Sequence, residues 1–124
     1  MPGYAGRIDD EVLVIAQIED MEGLENAAKI MAVEGVDVAF LGPGDLGLSM
    51  GIPPERHGKD PRHLEAIARV LEAARSAGKP AGFPVGNSEA GRRAIEQGFL
   101  MIDLTRDFRL LQGAATRELA ALRG

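Results

Sequence analysis

Short apolar runs alternate along this chain with longer stretches of helical spacing, and that alternation constrains the fold more than any other feature. The runs are "VLVIAQI" (12–18), "VDVAFLG" (36–42), "PAGFPV" (80–85) and "FLMIDL" (99–104). Near-continuous apolar runs of this length suit strands buried on both faces, as in a parallel sheet covered by helices. Leu24, Ala27, Ala28 and Met31, and later Leu64, Ile67, Ala68 and Leu71, recur at steps of three and four, which predicts helices over about 21–33 and 62–77. Gly35 and Gly78 mark their ends, Asn87 or Ser88 can cap a third helix running to Gln97, and a fourth is predicted over about 108–122. The pattern is α/β: four βα units in series, alike in layout but not in residues. Within it, the Gly- and Pro-rich stretch 42–61 reads as a loop, with 51–61 as its most mobile part.

With 124 residues the chain suits one domain, 12–124, preceded by a loose lead-in at 1–11. Fourteen Lys and Arg stand against 19 Asp and Glu, a formal charge of -5 with no basic block, so nucleic acid is a poor partner. The absence of cysteine excludes disulfides and thiolate metal sites. No apolar run approaches the roughly twenty residues needed to span a bilayer, and the first residues do not read as a secretory signal. The expectation is a soluble, cytoplasmic protein that does not engage a membrane.

One feature of the first strand does not belong to a core. "VLVIAQIED" ends on Gln17, Glu19 and Asp20, and in parallel α/β folds ligands bind beyond the carboxyl ends of the strands. Asp45 follows the second strand inside "GPGDLG", 26 residues after Glu19, about one βα unit. On neighbouring strands about 4.8 Å apart, the two carboxylates could converge on one hard divalent cation, with water and substrate oxygens completing the shell. The bland alternatives stay open at this point: Glu19 as a solvated residue beside an N-cap, and Asp45 as the cap of a short helix starting at Leu46. Gly44 has two readings of the same kind, turn chemistry or backbone amides left open to a ligand.

Other candidates carry less. His57 and His63 form a second metal hypothesis, weakened by their separate settings in the loop and at a helix start. Ser49 has no histidine and acid in view. "GNSEAG" is either a helix cap or a phosphate site, and Arg106 either meets an anion or pairs with Asp103 or Asp107.

Gln-Ile-Glu, then Glu-Gly-Val-Asp, then Gly-Pro-x-Asp-Leu, in this order and spacing, resemble the C-terminal half of the HpcH/HpaI aldolases of the citrate lyase superfamily. The resemblance runs from about Glu11 over nearly the whole chain. It implies a TIM-type barrel, of which the four units correspond to the C-terminal half of a (β/α)8 barrel of about 250 residues. It implies a class II aldolase, a metal-dependent carbon-carbon lyase that cleaves or forms 4-hydroxy-2-oxoacids through a pyruvate enolate. Carried over residue by residue, Glu19 and Asp45 match the metal ligands, and Gln17 matches a substrate contact. Gly44 with Asp45 matches the backbone that holds the pyruvate carboxylate. The implied cofactor is a divalent metal (Mg²⁺, Mn²⁺ or Co²⁺); the partners are pyruvate and an aldehyde. The groups that the family uses for proton transfer have no match here, so the alternative is a non-catalytic metal- or 2-oxoacid-binding half that needs a partner half. Gln-Ile-Glu and Gly-Pro-x-Asp-Leu resemble an acyl-CoA lyase of the same superfamily less well. An open four-stranded sheet would leave apolar edges, which predicts a homo-oligomer.

Overall fold

The computed structural model describes residues 8–124. Within the expected lead-in, Ile8–Glu11 forms a single helical turn, α1, while residues 1–7 lie outside the described residues. Strands β1 (Ile15–Ile18), β2 (Val38–Leu41), β3 (Ala81–Val85) and β4 (Met101–Leu104) form one sheet in the order β1-β2-β3-β4, every pairing parallel. Helix α2 (Met21–Met31) links the first two strands, α4 (Pro61–Ser76) precedes β3, α5 (Ser88–Gln97) links β3 to β4, and α6 (Asp107–Arg123) follows β4. The expected βα alternation is therefore present, with every strand shorter than its apolar run.

Local chemistry explains the trimming. The Val14 amide donates to the Asp37 carboxylate at 2.8 Å, and the Val14 carbonyl accepts from the amides of Asp37 and Val38. A side chain thus takes the place of a ladder partner and β1 starts at Ile15. At the other end of the sheet, Gly98 adopts φ 108°, a left-handed conformation that suits glycine, and Phe99 N–H closes onto Ala94 O. Phe99 is consequently buried against Phe83 beneath the helices and β4 starts two residues later.

Side chains alternate across the sheet, and the helix-facing set forms the core, with Val38 buried on the other face. Ile18, Ala39, Leu41, Ala81 and Val85 meet Leu24, Ala27 and Met31 of α2 and Ala66, Val70 and Ala74 of α4. Each large aliphatic group in such a cluster contributes about 1.5–3 kcal/mol of transfer free energy. Lys79 fastens this layer by donating to Met31 O and Val33 O at 2.8 Å, at the carboxyl end of α2 where a cation is favoured. Helix α6 is different: it buries none of its residues, and Phe108, Leu110, Leu111 and Leu122 are exposed. No described helix is long and apolar enough to cross a membrane.

The stretch expected to be a loop contains helix α3 (Pro43–Ser49) and a 3-10 turn at Pro54–Arg56. Pro43 at the first helical position has a ring preset for helix and no N–H to waste, so the helix begins there, before the Leu46 start weighed from sequence. Segment 51–61 is tied down as well. His57 Nε2 lies 2.8 Å from Ile52 O, Gly58 N–H donates to His63 Nδ1 at 2.8 Å, and Asp60 binds Arg56 and Arg62. Asp60, buried yet capping α4 through the Arg62 amide, has its carboxyl held below the ordinary 3.8 chiefly by the Arg62 side-chain hydrogen bond, against the opposing effect of burial.

Candidate functional site

Glu19 is the residue immediately after β1, and the register puts it beside Gly42, whose amide donates to Ile18 O at 2.9 Å. Glycine at 42 is what makes room for it. A β-carbon there would stand 2.6 Å from Glu19 Cβ, 2.9 Å from Glu19 Oε2 and 3.2 Å from Gln17 Nε2. The Gln17 amide donates to Glu19 Oε2, which aims the carboxylate and leaves the other amide atom, Oε1, as an acceptor. Neighbouring Asp20 does something else: it caps α2 by accepting from Gly23 N–H at 2.7 Å. The two adjacent acids thus divide into a cap and a carboxylate facing the strand ends.

Gly42 is also the N-cap of α3, so Asp45 falls in the first turn of that helix, three residues beyond the glycine against which Glu19 packs. The Asp45 side chain is exposed and makes no hydrogen bond or ion pair with described residues, which overturns the capping alternative. Gly44 is exposed, with open space where a side chain would be. At the carboxyl end of α3, Ser49 Oγ accepts from the Met21 amide at 3.1 Å, pinning this helix to the start of α2. A cavity of about 420 Å³ beside β1 has Gln17, Glu19, Asp20 and Asn26 among its walls.

The groups here that could meet a cation are oxygens, two carboxylates and the Gln17 side-chain carbonyl, while the first turn of α3 leaves the backbone at Gly44 and Asp45 open to an anion. Those oxygens suit Mg²⁺ or Mn²⁺, which bind through one or two carboxylates and keep several waters. No group of three or more His, Cys, Asp or Glu converges among the described residues, so a cation here would take the rest of its shell from water and substrate.

The remaining candidates resolve individually. His63 is 1 % exposed and uses both ring nitrogens on backbone groups, Gly58 N–H and Pro43 O, and His57 is bonded to Ile52 O, so the histidine metal pair is not formed. Asn87 caps α5 by accepting from Ala90 N–H, and this end of "GNSEAG" is a cap. Arg106 pairs with neither Asp103 nor Asp107 among the described residues. It borders a cavity of about 200 Å³ together with Pro84, Asp103, Thr105 and Arg109 at the carboxyl ends of β3 and β4. Thr105 in that cavity has φ 62°, the sole positive φ at a non-glycine among the described residues.

Residues 2–114 match the family described as HpcH/HpaI aldolase/citrate lyase. The chain belongs to the HpcH/HpaI aldolase/citrate lyase family. Within this family it is 36% identical over 118 residues to the 4-hydroxy-2-oxo-heptane-1,7-dioate aldolase of Klebsiella pneumoniae, covering 93% of this chain and 43% of the relative. It is 34% identical over 121 residues to the hydroxypyruvate/pyruvate aldolase of Rhizorhabdus wittichii, covering 98% and 48%. The fold is similar to the crystal structure of an HpcH/HpaI family protein from Burkholderia cenocepacia, with TM-score 0.89, 32% identity, and coverage of 99% of this chain and 47% of the other. An HpcH/HpaI aldolase from Desulfitobacterium hafniense is similar at TM-score 0.82 and 30% identity, with coverage of 97% and 46%. The chain spans less than half the length of each of these HpcH/HpaI relatives.

Proposed function

We propose that this chain is the C-terminal half of a (β/α)8 barrel and carries the metal-binding half of a class II pyruvate aldolase site, in which Glu19 and Asp45 hold one divalent cation. The observation that carries this reading is the packing of Glu19 on Gly42, three residues before Asp45. The cation would supply Lewis acidity at the ketone of a 2-oxoacid. Gln17 aims Glu19 and offers its free carbonyl oxygen toward the substrate; the open backbone at Gly44 and Asp45 receives the 2-oxoacid carboxylate. In the cleavage direction the bond between C3 and C4 of a 4-hydroxy-2-oxoacid breaks as the C4 hydroxyl gives up its proton. C4 leaves as an aldehyde, and the electron pair stays with the pyruvyl fragment until C3 is protonated.

Calorimetric titration with Mn²⁺ and Mg²⁺, with and without pyruvate, tests the reading. Binding is expected in the unaltered chain and lost in both Glu19→Ala and Asp45→Ala; equal binding by all three proteins would sink it.

A second reading, a half-site that acts only with a partner half, is favoured by the histidines. Both are committed to backbone groups, so neither is available to move a proton at the strand ends.

A further inference from the structure

We propose that His63 is a positioning residue for Asp45, holding helix α3 in place through the Pro43 carbonyl. This rests on the reading of Asp45 as a cation ligand. Helix α3 has seven residues, includes two glycines, and its N-cap Gly42 supplies no side-chain cap. A helix so short is not stable on its own, so its first turn must be held by the rest of the fold. Leu46 anchors that turn in the core, and His63, 1 % exposed on α4, is the polar side chain that reaches it: its Nε2 lies 2.8 Å from Pro43 O, two residues before Asp45.

The tautomer follows from the other nitrogen. Nδ1 accepts from Gly58 N–H at 2.8 Å, so the ring proton is on Nε2 and is donated to the carbonyl. One neutral imidazole thus bridges the first turn of α3 and the 51–61 segment. The second histidine closes the brace from the outer side. The His57 ring lies 5.1 Å from that of His63 and occupies the space over Gly47, where a β-carbon would stand 2.3 Å from His57 Nε2. His57 is itself bonded to Ile52 O, and the Ile52 amide donates to Gly47 O at 2.9 Å. Gly47 is therefore glycine because a ring lies flat on the helix there. The carboxylate that would meet the cation stands on a helix gripped at Pro43, Gly47 and Ser49.

The test compares His63→Gln, whose amide nitrogen can still donate to Pro43 O, with His63→Leu, which has no donor, and with Val70→Ala as a control for loss of packing elsewhere in the core. Two quantities are read in the full chain: Mn²⁺ affinity by calorimetry, and hydrogen exchange at the Leu46 amide of α3 and the Met50 amide that caps its carboxyl end, without metal. Partners one shell out from a metal ligand typically change affinity by about 10- to 100-fold. His63→Leu is expected to weaken Mn²⁺ by about that factor and to speed exchange in α3, with His63→Gln close to the unaltered chain. Val70→Ala should lower the melting temperature without either change. Unchanged affinity or unchanged α3 exchange in His63→Leu, or equal losses in Val70→Ala, overturns the inference. Should the unaltered chain bind no Mn²⁺, the proposed metal site fails by itself, and the exchange comparison still decides whether His63 holds α3.

Discussion

Gly42 and Glu19 fit together so closely that no side chain at position 42 is compatible with the observed carboxylate: a β-carbon would come within 2.6 Å of Glu19 Cβ and 2.9 Å of Oε2. Gly42→Ala is therefore expected to displace Glu19 or the start of α3. Overpacking of this kind costs about 1–3 kcal/mol. Urea unfolding should show that loss, and calorimetry should show weakened Mn²⁺ binding. Full affinity in Gly42→Ala would mean that this contact does not set the carboxylate.

Asp60 predicts an acid-sensitive brace. Its folded carboxyl lies below the ordinary 3.8, with Arg62 the main cause, so the unfolded chain binds the extra proton. The stability it contributes is complete above about pH 4 and is lost as pH falls through the folded value. Asp60→Asn keeps a capping oxygen on α4 and removes the charge. Urea midpoints measured from neutral pH into acid should fall less steeply below about pH 4 in that variant, and parallel curves would show that Asp60 is not the group responsible.

Aldolase turnover by the chain alone is expected to be low. Without a positioned acid or base, a term typically worth about 10²- to 10⁴-fold is missing. Pyruvate release from a 4-hydroxy-2-oxoacid measures it directly. A rate near the common enzyme value of about 10 per second would show that this half supplies its own proton-transfer group.

Self-association is expected as well. Within the described sheet β1 and β4 each have one unpaired edge, Val12, Leu13 and Val14 just before β1 and Ile15 at its start are exposed, and α6 carries five exposed Leu or Phe residues, Phe108, Leu110, Leu111, Leu119 and Leu122, with nothing buried. Open edges and contiguous apolar faces are normally covered in folded proteins. Light scattering after gel filtration should give a multiple of 13.2 kDa at micromolar concentration; a well-folded monomer would contradict the expectation.

The sequence by itself determined the order of the four βα units, because continuous apolar runs and a 3.6-residue apolar period report which residues must leave water. It also singled out Glu19 and Asp45 as candidates, one closing an apolar run and the other in the turn after the next strand, where ligands of parallel α/β folds bind. It said little about how those groups are held. Beyond a possible start at Leu46, helix α3 was hard to read because Gly44 and Gly47 argue against a helix locally, and tertiary contacts hold it: the His63 bond to Pro43, the His57 ring over Gly47, the Met21 amide on Ser49 and the burial of Leu46 in the core. The true strand starts depended on Asp37 and Gly98, one a side chain replacing a ladder bond and the other a left-handed turn. The roles of both histidines were likewise decided by tertiary structure, because a residue type names the hydrogen bonds a ring can make, and only the fold names the atoms that receive them.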